Sequence, residues 1–182
     1  MQAAEILTDE QYGKIINRLA HQIVEPYDDV ASLALVGMQR RGVFLAKMLQ
    51  ERIHHFYNHK LPLGVLDVTF YRDDFRTKLK MPTVQVTEIP FDLTEKHVVL
   101  VDDVLYTGRT IRAAMDALMS FGRPASIKAC CLIDRGHREL PIQADYTGMF
   151  VPTYQNEEIQ VEVAGLDGIN RVMVIQKESA ET

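Results

Sequence analysis

The spacing of apolar residues along the chain predicts three amphipathic helices. The first helix begins at a capping box, Thr8 to Gln11, in which each side chain satisfies a backbone N–H group of the other residue. Pro26 ends this helix, and Gly122 and Pro124 end the third helix, which covers about residues 110–121. In all three segments the apolar residues recur at the three- and four-residue intervals of one helix face. They are Tyr12, Ile15, Ile16, Leu19, Ala20, Ile23 and Val24 in the first helix, Val43, Leu45, Ala46, Leu49 and Ile53 in the second, and Ile111, Ala114, Met115 and Leu118 in the third.

Short continuous apolar runs lie between these helices and predict buried strands. Such runs occupy residues 33–37, 97–102 and 126–134, and the segment 61–71 contains a further strand. Residues 83–89 alternate in polarity and could pair as a strand, and shorter strand-like pieces lie near 145–150, 159–164 and 171–176. Strands that alternate with helices predict a single-domain α/β fold with a mainly parallel sheet, to which the C-terminal pieces add an antiparallel edge.

Composition narrows the class of protein without identifying a function. The 182 residues carry a formal net charge of −5, so no overall basic field attracts nucleic acid or a membrane, although a local basic patch stays possible. No basic segment followed by an apolar run marks a signal peptide, and no apolar run approaches the roughly 18 residues of a membrane span. The two cysteines, Cys130 and Cys131, lie in an apolar strand, which favours buried thiols and a cytoplasmic protein.

The candidate chemistry lies in "VVLVDDVLYTGRT", residues 98–110. Asp102 and Asp103 follow an apolar strand, and Thr107-Gly108-Arg109-Thr110 forms the turn into the third helix. Backbone N–H groups at such a turn bind phosphate. Two carboxylates beside a phosphate would repel it, unless they contact hydroxyl groups or a hydrated magnesium ion. A site for a sugar with a monophosphate at one end and a diphosphate at the other explains these residues better than the alternative, an ordinary strand–turn–helix in which Asp and Thr only cap the helix.

Residues 98–110 resemble the phosphoribosyl-pyrophosphate (PRPP) signature of the type I phosphoribosyltransferases. The segments "LALVGMQRRGVFLA", "LDVTFYRDD" and "LIDRGHRELPIQADY" extend the resemblance over roughly residues 8–153, to the branch that joins uracil phosphoribosyltransferase activity to regulation of pyrimidine operons. The resemblance implies one phosphoribosyltransferase domain over 1–182. In it, a mainly parallel sheet is flanked by helices, a flexible loop covers about 72–82, and a small hood is present.

The resemblance also implies a role for individual residues. Thr107, Gly108, Arg109 and Thr110 would hold the 5-phosphate of PRPP, Asp102 and Asp103 would contact the ribose hydroxyls, and Arg40 and Arg41 would hold pyrophosphate. Tyr71, Arg72 and Asp73 begin the flexible loop that closes over PRPP, with Arg72 among the catalytic residues, and Ile133, Asp134 and Arg135 would face uracil, largely through backbone groups. Magnesium would be bound mainly through PRPP rather than by a dedicated set of protein ligands, and the products would be UMP and pyrophosphate.

A second implied role is the binding of pyrimidine-operon leader mRNA by a homo-oligomer that senses UMP or UTP. Arg18, His21, His137 and Arg138 match positions linked to RNA contact, although His137 fits the role of a turn residue equally well. Gln143 and Met149 stand where RNA-regulating members have Arg and Lys, and Asn17 and the pair 154–155 also depart from the pattern. Two alternatives therefore stay open: a transferase that has lost the RNA role, and a phosphoribosyltransferase for another base. The histidines at 54, 55 and 59 are interpreted as solvated residues at a helix end.

Overall fold

A computed structural model describes residues 3–68 and 86–176. Its centre is a parallel sheet of five strands in the order β3-β2-β4-β5-β6. The strands are β2 (Leu33–Met38), β3 (Leu63–Leu66), β4 (His97–Leu105), β5 (Ser126–Asp134) and β6 (Tyr146–Phe150). The α/β class and the parallel pairing predicted from the apolar runs are confirmed.

Helices cover both faces of this sheet, and the alternation of side chains along each strand explains why there are two separate apolar cores. The helices are α1 (Asp9–Val24), α2 (Arg41–Tyr57) and α3 (Arg109–Leu118). Val99 and Val101 of β4 belong to one apolar core with α1 and α2, whereas Val98 and Leu100 belong to a second core with α3. Because successive side chains of a strand point to opposite faces, one continuous apolar run supplies both cores.

The capping box predicted at the start of α1 is present. The backbone N–H of Gln11 donates to the Thr8 hydroxyl at 3.4 Å, and the backbone N–H of Thr8 donates to the Gln11 side-chain oxygen at 3.0 Å. Each contact satisfies an N–H group that has no partner inside the helix. The apolar face from Tyr12 to Val24 is buried as its spacing predicts.

A second, antiparallel sheet corrects one prediction. Its strands are β1 (Ala3–Leu7), β7 (Glu157–Glu162) and β8 (Arg171–Gln176), in the order β1-β8-β7, with α4 (Ala164–Asp167) between β7 and β8. The predicted antiparallel edge on the main sheet was therefore wrong, because β6 pairs parallel to β5 and the last two strands pair with β1 instead. The apolar pattern gave no sign of β1, of which only Leu7 is buried.

The segment predicted at 83–89 is described only from residue 86 onward. There it forms a single antiparallel bridge between Glu88 and Val65 rather than a strand. The loop predicted at about 72–82, with Tyr71, Arg72 and Asp73, lies outside the described residues. Among the described helices, none combines the length and the apolar composition that crossing a membrane requires.

Candidate active site

The described residues that were predicted to bind PRPP and uracil lie where β2, β4 and β5 end and where α2 and α3 begin. These strands are neighbours in one parallel sheet, so their carboxyl ends share an edge. Ligands of open α/β sheets bind beyond this edge. A cavity of about 160 Å³ opens here, and its lining runs from Asp102 and Val104 to Ile111, including Thr107, Gly108 and Thr110.

The pleat of β4 separates the two adjacent carboxylates. Asp102 is buried, lines the cavity beside α3, and accepts a hydrogen bond from the backbone N–H of Asp103 at 2.9 Å. Asp103 is half-buried and, one residue further along the strand, points to the opposite face, on which α1 and α2 pack. The two acids therefore flank the end of the strand instead of crowding the same volume.

The phosphate turn, residues 107–110, is built from a glycine and two threonines. Gly108 has φ of 90°, a left-handed conformation that glycine adopts without strain, and it caps the start of α3. The Thr107 hydroxyl accepts from the backbone N–H of Arg109 at 3.3 Å. The Thr107 carbonyl accepts from the N–H groups of Glu139 and Leu140 at 3.0 and 3.2 Å, which fixes the turn against the loop after β5. The N–H groups of the first turn of α3 point out of the helix end, where they can bind an anion.

The start of α2 approaches β4 closely enough that only glycine fits at one position. A Cβ atom on Gly42 would lie 2.3 Å from the carbonyl oxygen of Val101 and 3.2 Å from Cα of Asp102. The preceding Gln39–Arg40 peptide bond is cis, and Arg40 caps the helix. This packing brings the turn that contains Arg40 and Arg41 beside the paired carboxylates.

Arg41 connects the main sheet to the second sheet. Its Nη2 and Nε atoms donate to the two carboxylate oxygens of Asp167 at 3.0 and 3.3 Å. Desolvation alone would raise the pKa of Asp167, but the N–H of Val163 and the Arg41 guanidinium outweigh it and hold this pKa below its ordinary value. Tyr12, buried beneath this site, has its pKa raised, first by burial and then by the charge of Asp103.

The loop after β5 contains three of the predicted residues, Arg135, His137 and Arg138, and each of their side chains forms hydrogen bonds within the protein. Arg138 donates to the Asp134 carboxylate and to the carbonyl oxygens of Ile142, Tyr106 and Gly136. Arg135 is buried, donates to the Thr153 hydroxyl and to the carbonyl of Glu157, and packs on the Tyr106 ring at 4.2 Å. His137 hydrogen-bonds through Nε2 to the Thr153 carbonyl at 2.6 Å.

Of the residues predicted to face uracil, Ile133 and Asp134 end β5 and Arg135 follows directly; all three are buried. The backbone carbonyl of Asp134 accepts from Val151, and the backbone N–H of Arg135 donates to the Leu105 carbonyl. The side chains of Asp134 and Arg135, like these two backbone groups, already have partners inside the protein, and the contact with uracil stays a prediction. A carbonyl oxygen still has a second lone pair for a ligand.

Arg18 and His21, the other predicted RNA residues, lie one turn apart on the exposed face of α1, away from the cavity. The Arg18 guanidinium donates to the carbonyls of Thr147 and Gly148 in β6 and to the side chain of Gln22. His21 hydrogen-bonds through Nδ1 to the hydroxyl of Tyr57 at 2.9 Å. The structure therefore divides the four RNA candidates between α1 and the loop after β5.

Sequence reasoning missed several residues that orient the site. Glu139 holds the Arg109 side chain with an Nε–Oε2 distance of 2.6 Å, and Asp167 and Thr153 hold Arg41 and Arg135. Tyr106 lies inside the signature segment, between the end of β4 and the turn at 107–110. An aromatic residue at that place was the available signal. The partners Asp167 and Thr153 are distant in sequence and left no local pattern.

Comparison with known proteins identifies the family. The phosphoribosyl transferase domain model matches residues 2–166. The hypoxanthine phosphoribosyltransferase of Trypanosoma cruzi superposes with a TM-score of 0.72 at 18% identity, covering 96% of this chain and 97% of that one. A hypoxanthine-guanine phosphoribosyltransferase from Bacillus anthracis gives 0.72 at 19% identity, with coverage of 94% and 96%. The fold and the site thus define a phosphoribosyltransferase.

Curated relatives narrow this class. "Bifunctional protein PyrR" of Caldicellulosiruptor bescii is 53% identical over 172 residues, which are 94% of each chain. "Bifunctional protein PyrR" of Halalkalibacterium halodurans is 49% identical over 176 residues, 96% of this chain and 98% of the relative. The chain belongs to the PyrR family of bifunctional phosphoribosyltransferase-domain proteins.

Proposed function

We propose that this protein transfers the phosphoribosyl group of PRPP to uracil, forming UMP and pyrophosphate. The observation that carries the proposal is the pair Asp102 and Asp103 at the end of β4, directly beside the glycine turn that starts α3. A strand that runs into the start of a helix thereby places carboxylates, which can bind hydroxyls, next to a turn that can bind phosphate.

The phosphate turn and the paired acids bind opposite sides of the donor sugar. The N–H groups of residues 107–110 and the hydroxyls of Thr107 and Thr110 donate to the 5-phosphate, and the α3 dipole favours the anion. Asp102 and Asp103 accept hydrogen bonds from the ribose 2- and 3-hydroxyls. The turn with Arg40 and Arg41 holds the pyrophosphate, because the forked donors of a guanidinium group match the spacing of phosphate oxygens.

Magnesium fits this donor set as a substrate-bound ion. Asp102 offers hard carboxylate oxygens at the cavity, with Asp103 next to it on β4, whereas nowhere in residues 3–68 and 86–176 do three or more His, Cys, Asp or Glu side chains gather as a metal site. Such a site suits an ion that keeps waters and binds through one or two carboxylates and substrate phosphates. When bound, magnesium neutralises charge on the leaving pyrophosphate.

Transfer requires the bond between C1 of the ribose and pyrophosphate to break, with the electron pair leaving on pyrophosphate, while a uracil nitrogen bonds to C1 and releases its proton to the departing pyrophosphate or to water. Positive charge develops on the sugar ring, as in other glycosyl transfers, and the two carboxylates beside the ring stabilise it. Uracil binds at the end of β5, at Ile133, Asp134 and Arg135. Tyr71, Arg72 and Asp73 lie outside the described residues, and we expect them to contact PRPP, with Arg72 among the catalytic residues.

The test is UMP formation from uracil, PRPP and magnesium. The substitution Asp103→Asn removes the charge and should lower kcat/KM on the order of 10²-fold, the usual effect of losing one stabilising group in a site. Asp116→Asn, which changes an exposed carboxylate paired with Arg112 on α3, is the matched control and should keep full activity. Competition with hypoxanthine and orotate tests the base, and preference for either would replace uracil in the proposal.

We further propose that the protein binds the leader mRNA of a pyrimidine operon and that UMP or UTP promotes this binding. The relatives are named as bifunctional proteins, and Arg18 and His21 are exposed together on α1. Two observations support the alternative, a transferase without the RNA role: the net charge of −5, and the uncharged Gln143 and Met149, of which Met149 packs against the core.

We also propose that the protein is a homo-oligomer in the cytoplasm. Sedimentation tests the oligomer, and cell fractionation tests the location.

Filter binding of the leader RNA, with and without UMP, distinguishes a transferase that also regulates through RNA from a transferase alone. Arg18→Ala should weaken binding and reduce its dependence on salt concentration, because each cation at a phosphate releases counterions. Lys14→Ala, one turn earlier on α1, changes a cation that is paired with Glu10 and serves as the control. RNA binding that is absent, or indifferent to both UMP and salt, would leave the transferase alone.

A further inference from the structure

The end of α2 places a group of aromatic rings beside the two RNA candidates of α1. The ring platform consists of His21, His55, Phe56 and Tyr57, all four exposed to solvent. The rings of His21 and Phe56 stack with centroids 4.4 Å apart and planes 22° apart. Tyr57 contacts His21 edge-on at 5.7 Å, and His55 contacts Phe56 edge-on at 5.3 Å.

The hydrogen bond between His21 and Tyr57 fixes this arrangement. Its length is 2.9 Å, and it joins α1 to the last residue of α2. Phe56 and Tyr57 remain 38% and 36% exposed, so their rings rest on the surface instead of filling the core. Exposed aromatic rings held in a fixed stack provide flat surfaces at small cost in side-chain entropy.

The charge around the ring platform is basic although the whole chain is acidic. The segment "RIHHFYNHK", residues 52–60, contains Arg52, Lys60 and three histidines but no Asp or Glu. Arg18 lies one turn from His21 on the adjacent helix. Cations interleaved with exposed aromatic rings attract a polyanion and at the same time offer stacking surfaces to its bases.

We propose that the ring platform stacks an unpaired base of the bound RNA while Arg18 and the cations of residues 52–60 contact the flanking phosphates. This inference rests on the RNA-binding function proposed above and specifies one contact surface for it. Duplex RNA hides its base faces, so the platform selects a loop or bulge over a continuous helix.

The absence of tryptophan from the chain permits a direct test. Phe56→Trp places a single indole in the platform, and its fluorescence should be quenched when leader RNA binds in the presence of UMP. Phe121→Trp is the matched control, because Phe121 is 46% exposed and follows α3 on the opposite face of the sheet. Equal quenching in both variants, or none in the first, overturns the platform.

Affinity provides the second measurement. Phe56→Ala should weaken RNA binding about tenfold with an unchanged salt slope, since stacking on one ring does not release counterions. Phe56→Tyr should restore affinity, and UMP formation should be unaffected in both variants, which also shows that they fold. If Phe56→Ala does not fold, His55→Ala replaces it, with a smaller loss expected.

The outcomes separate the two levels of the proposal. Wild-type protein that binds no leader RNA refutes the regulatory function itself. Wild-type binding with undiminished affinity in Phe56→Ala refutes only the ring platform. A change in sedimentation of Phe56→Ala that accounts for its lost affinity assigns the rings to a contact between subunits and also refutes the platform.

Discussion

The close approach of α2 to β4 predicts that two similar glycine-to-alanine substitutions have opposite effects. Gly42 lies in the first turn of α2, and a Cβ atom there would sit 2.3 Å from the Val101 carbonyl oxygen. Ordinary contacts begin at 3.4 Å, so the helix must move away by about 1 Å. Gly13 lies inside α1, and a Cβ atom there meets nothing within 4 Å.

For Gly42→Ala we expect a loss of about 1–3 kcal/mol in the free energy of unfolding, the usual cost of overpacking. The displaced turn also carries Arg40 and adjoins Asp102, and a misplacement of about 1 Å at reacting groups costs on the order of 10²-fold in rate. For Gly13→Ala we expect a gain of about 0.5–1 kcal/mol, because alanine loses less backbone entropy in a helix.

Urea unfolding and kcat/KM for PRPP, measured on both variants, test this reasoning. Activity of Gly13→Ala should equal that of the wild type, since Gly13 does not line the cavity and its added Cβ atom displaces nothing. A Gly42→Ala protein with wild-type stability and activity would show that α2 shifts without cost. A Gly13→Ala protein that is destabilised would show that the space around α1 is occupied, and either result refutes the argument.

Three further predictions follow from contacts of the site. The pKa of Asp167 lies below its ordinary value of 3.8, so the stabilising effect of this carboxylate is present above that pH and is lost as the pH falls through the folded pKa. The unfolding midpoints of wild type and Asp167→Asn should therefore differ at pH 6 and converge in acid. A difference that stays constant with pH contradicts this. Arg138→Ala leaves Asp134 without its main partner and should cost about 1–3 kcal/mol in chemical denaturation, against at most about 0.5 kcal/mol for the exposed pair broken by Arg112→Ala. Burial raises the pKa of Cys131 to about 12 and also raises that of Cys130, so neither thiol should react with a disulfide reagent at pH 8 until urea unfolds the protein; rapid reaction of the native protein would show that β5 opens.

The parts of the fold that depend on local pattern could be predicted from the sequence. The continuous apolar runs predicted β2, β4 and β5, because a strand buried on both faces has no polar alternation. The capping box predicted the start of α1 to the residue. Asp102 and Asp103 could then be predicted to lie at a ligand site, because ligands of parallel sheets bind at the carboxyl ends of strands.

The second sheet could not be predicted because its pairing is not local. β1 and β8 lie at opposite ends of the chain, and their register joins Ala3 to Ile175. In β1 only Leu7 is buried, so the strand lacks the apolar run that marks a buried strand. The strand exists because β8 supplies hydrogen-bond partners, and sequence spacing contains no record of which strand these partners come from.

The arginines show the same limit inside the candidate site. Arg41, Arg109 and Arg138 were assigned to phosphate or RNA because they match positions with these roles in the family that the sequence resembles. In the structure each forms an ion pair, with a carboxylate 126, 30 or 4 residues away along the chain.

A guanidinium that already has a carboxylate partner must share or exchange it when a phosphate arrives, so the net gain in binding free energy is smaller. Backbone N–H groups in the first turn of a helix have no acceptor inside that helix and lose nothing comparable. The phosphate-binding role proposed for residues 107–110 can therefore be predicted from local sequence, because it depends on backbone groups. The roles of the arginine side chains depend on Asp167, Glu139 and Asp134, and of these partners only Asp134 lies within one helical turn of its arginine along the chain.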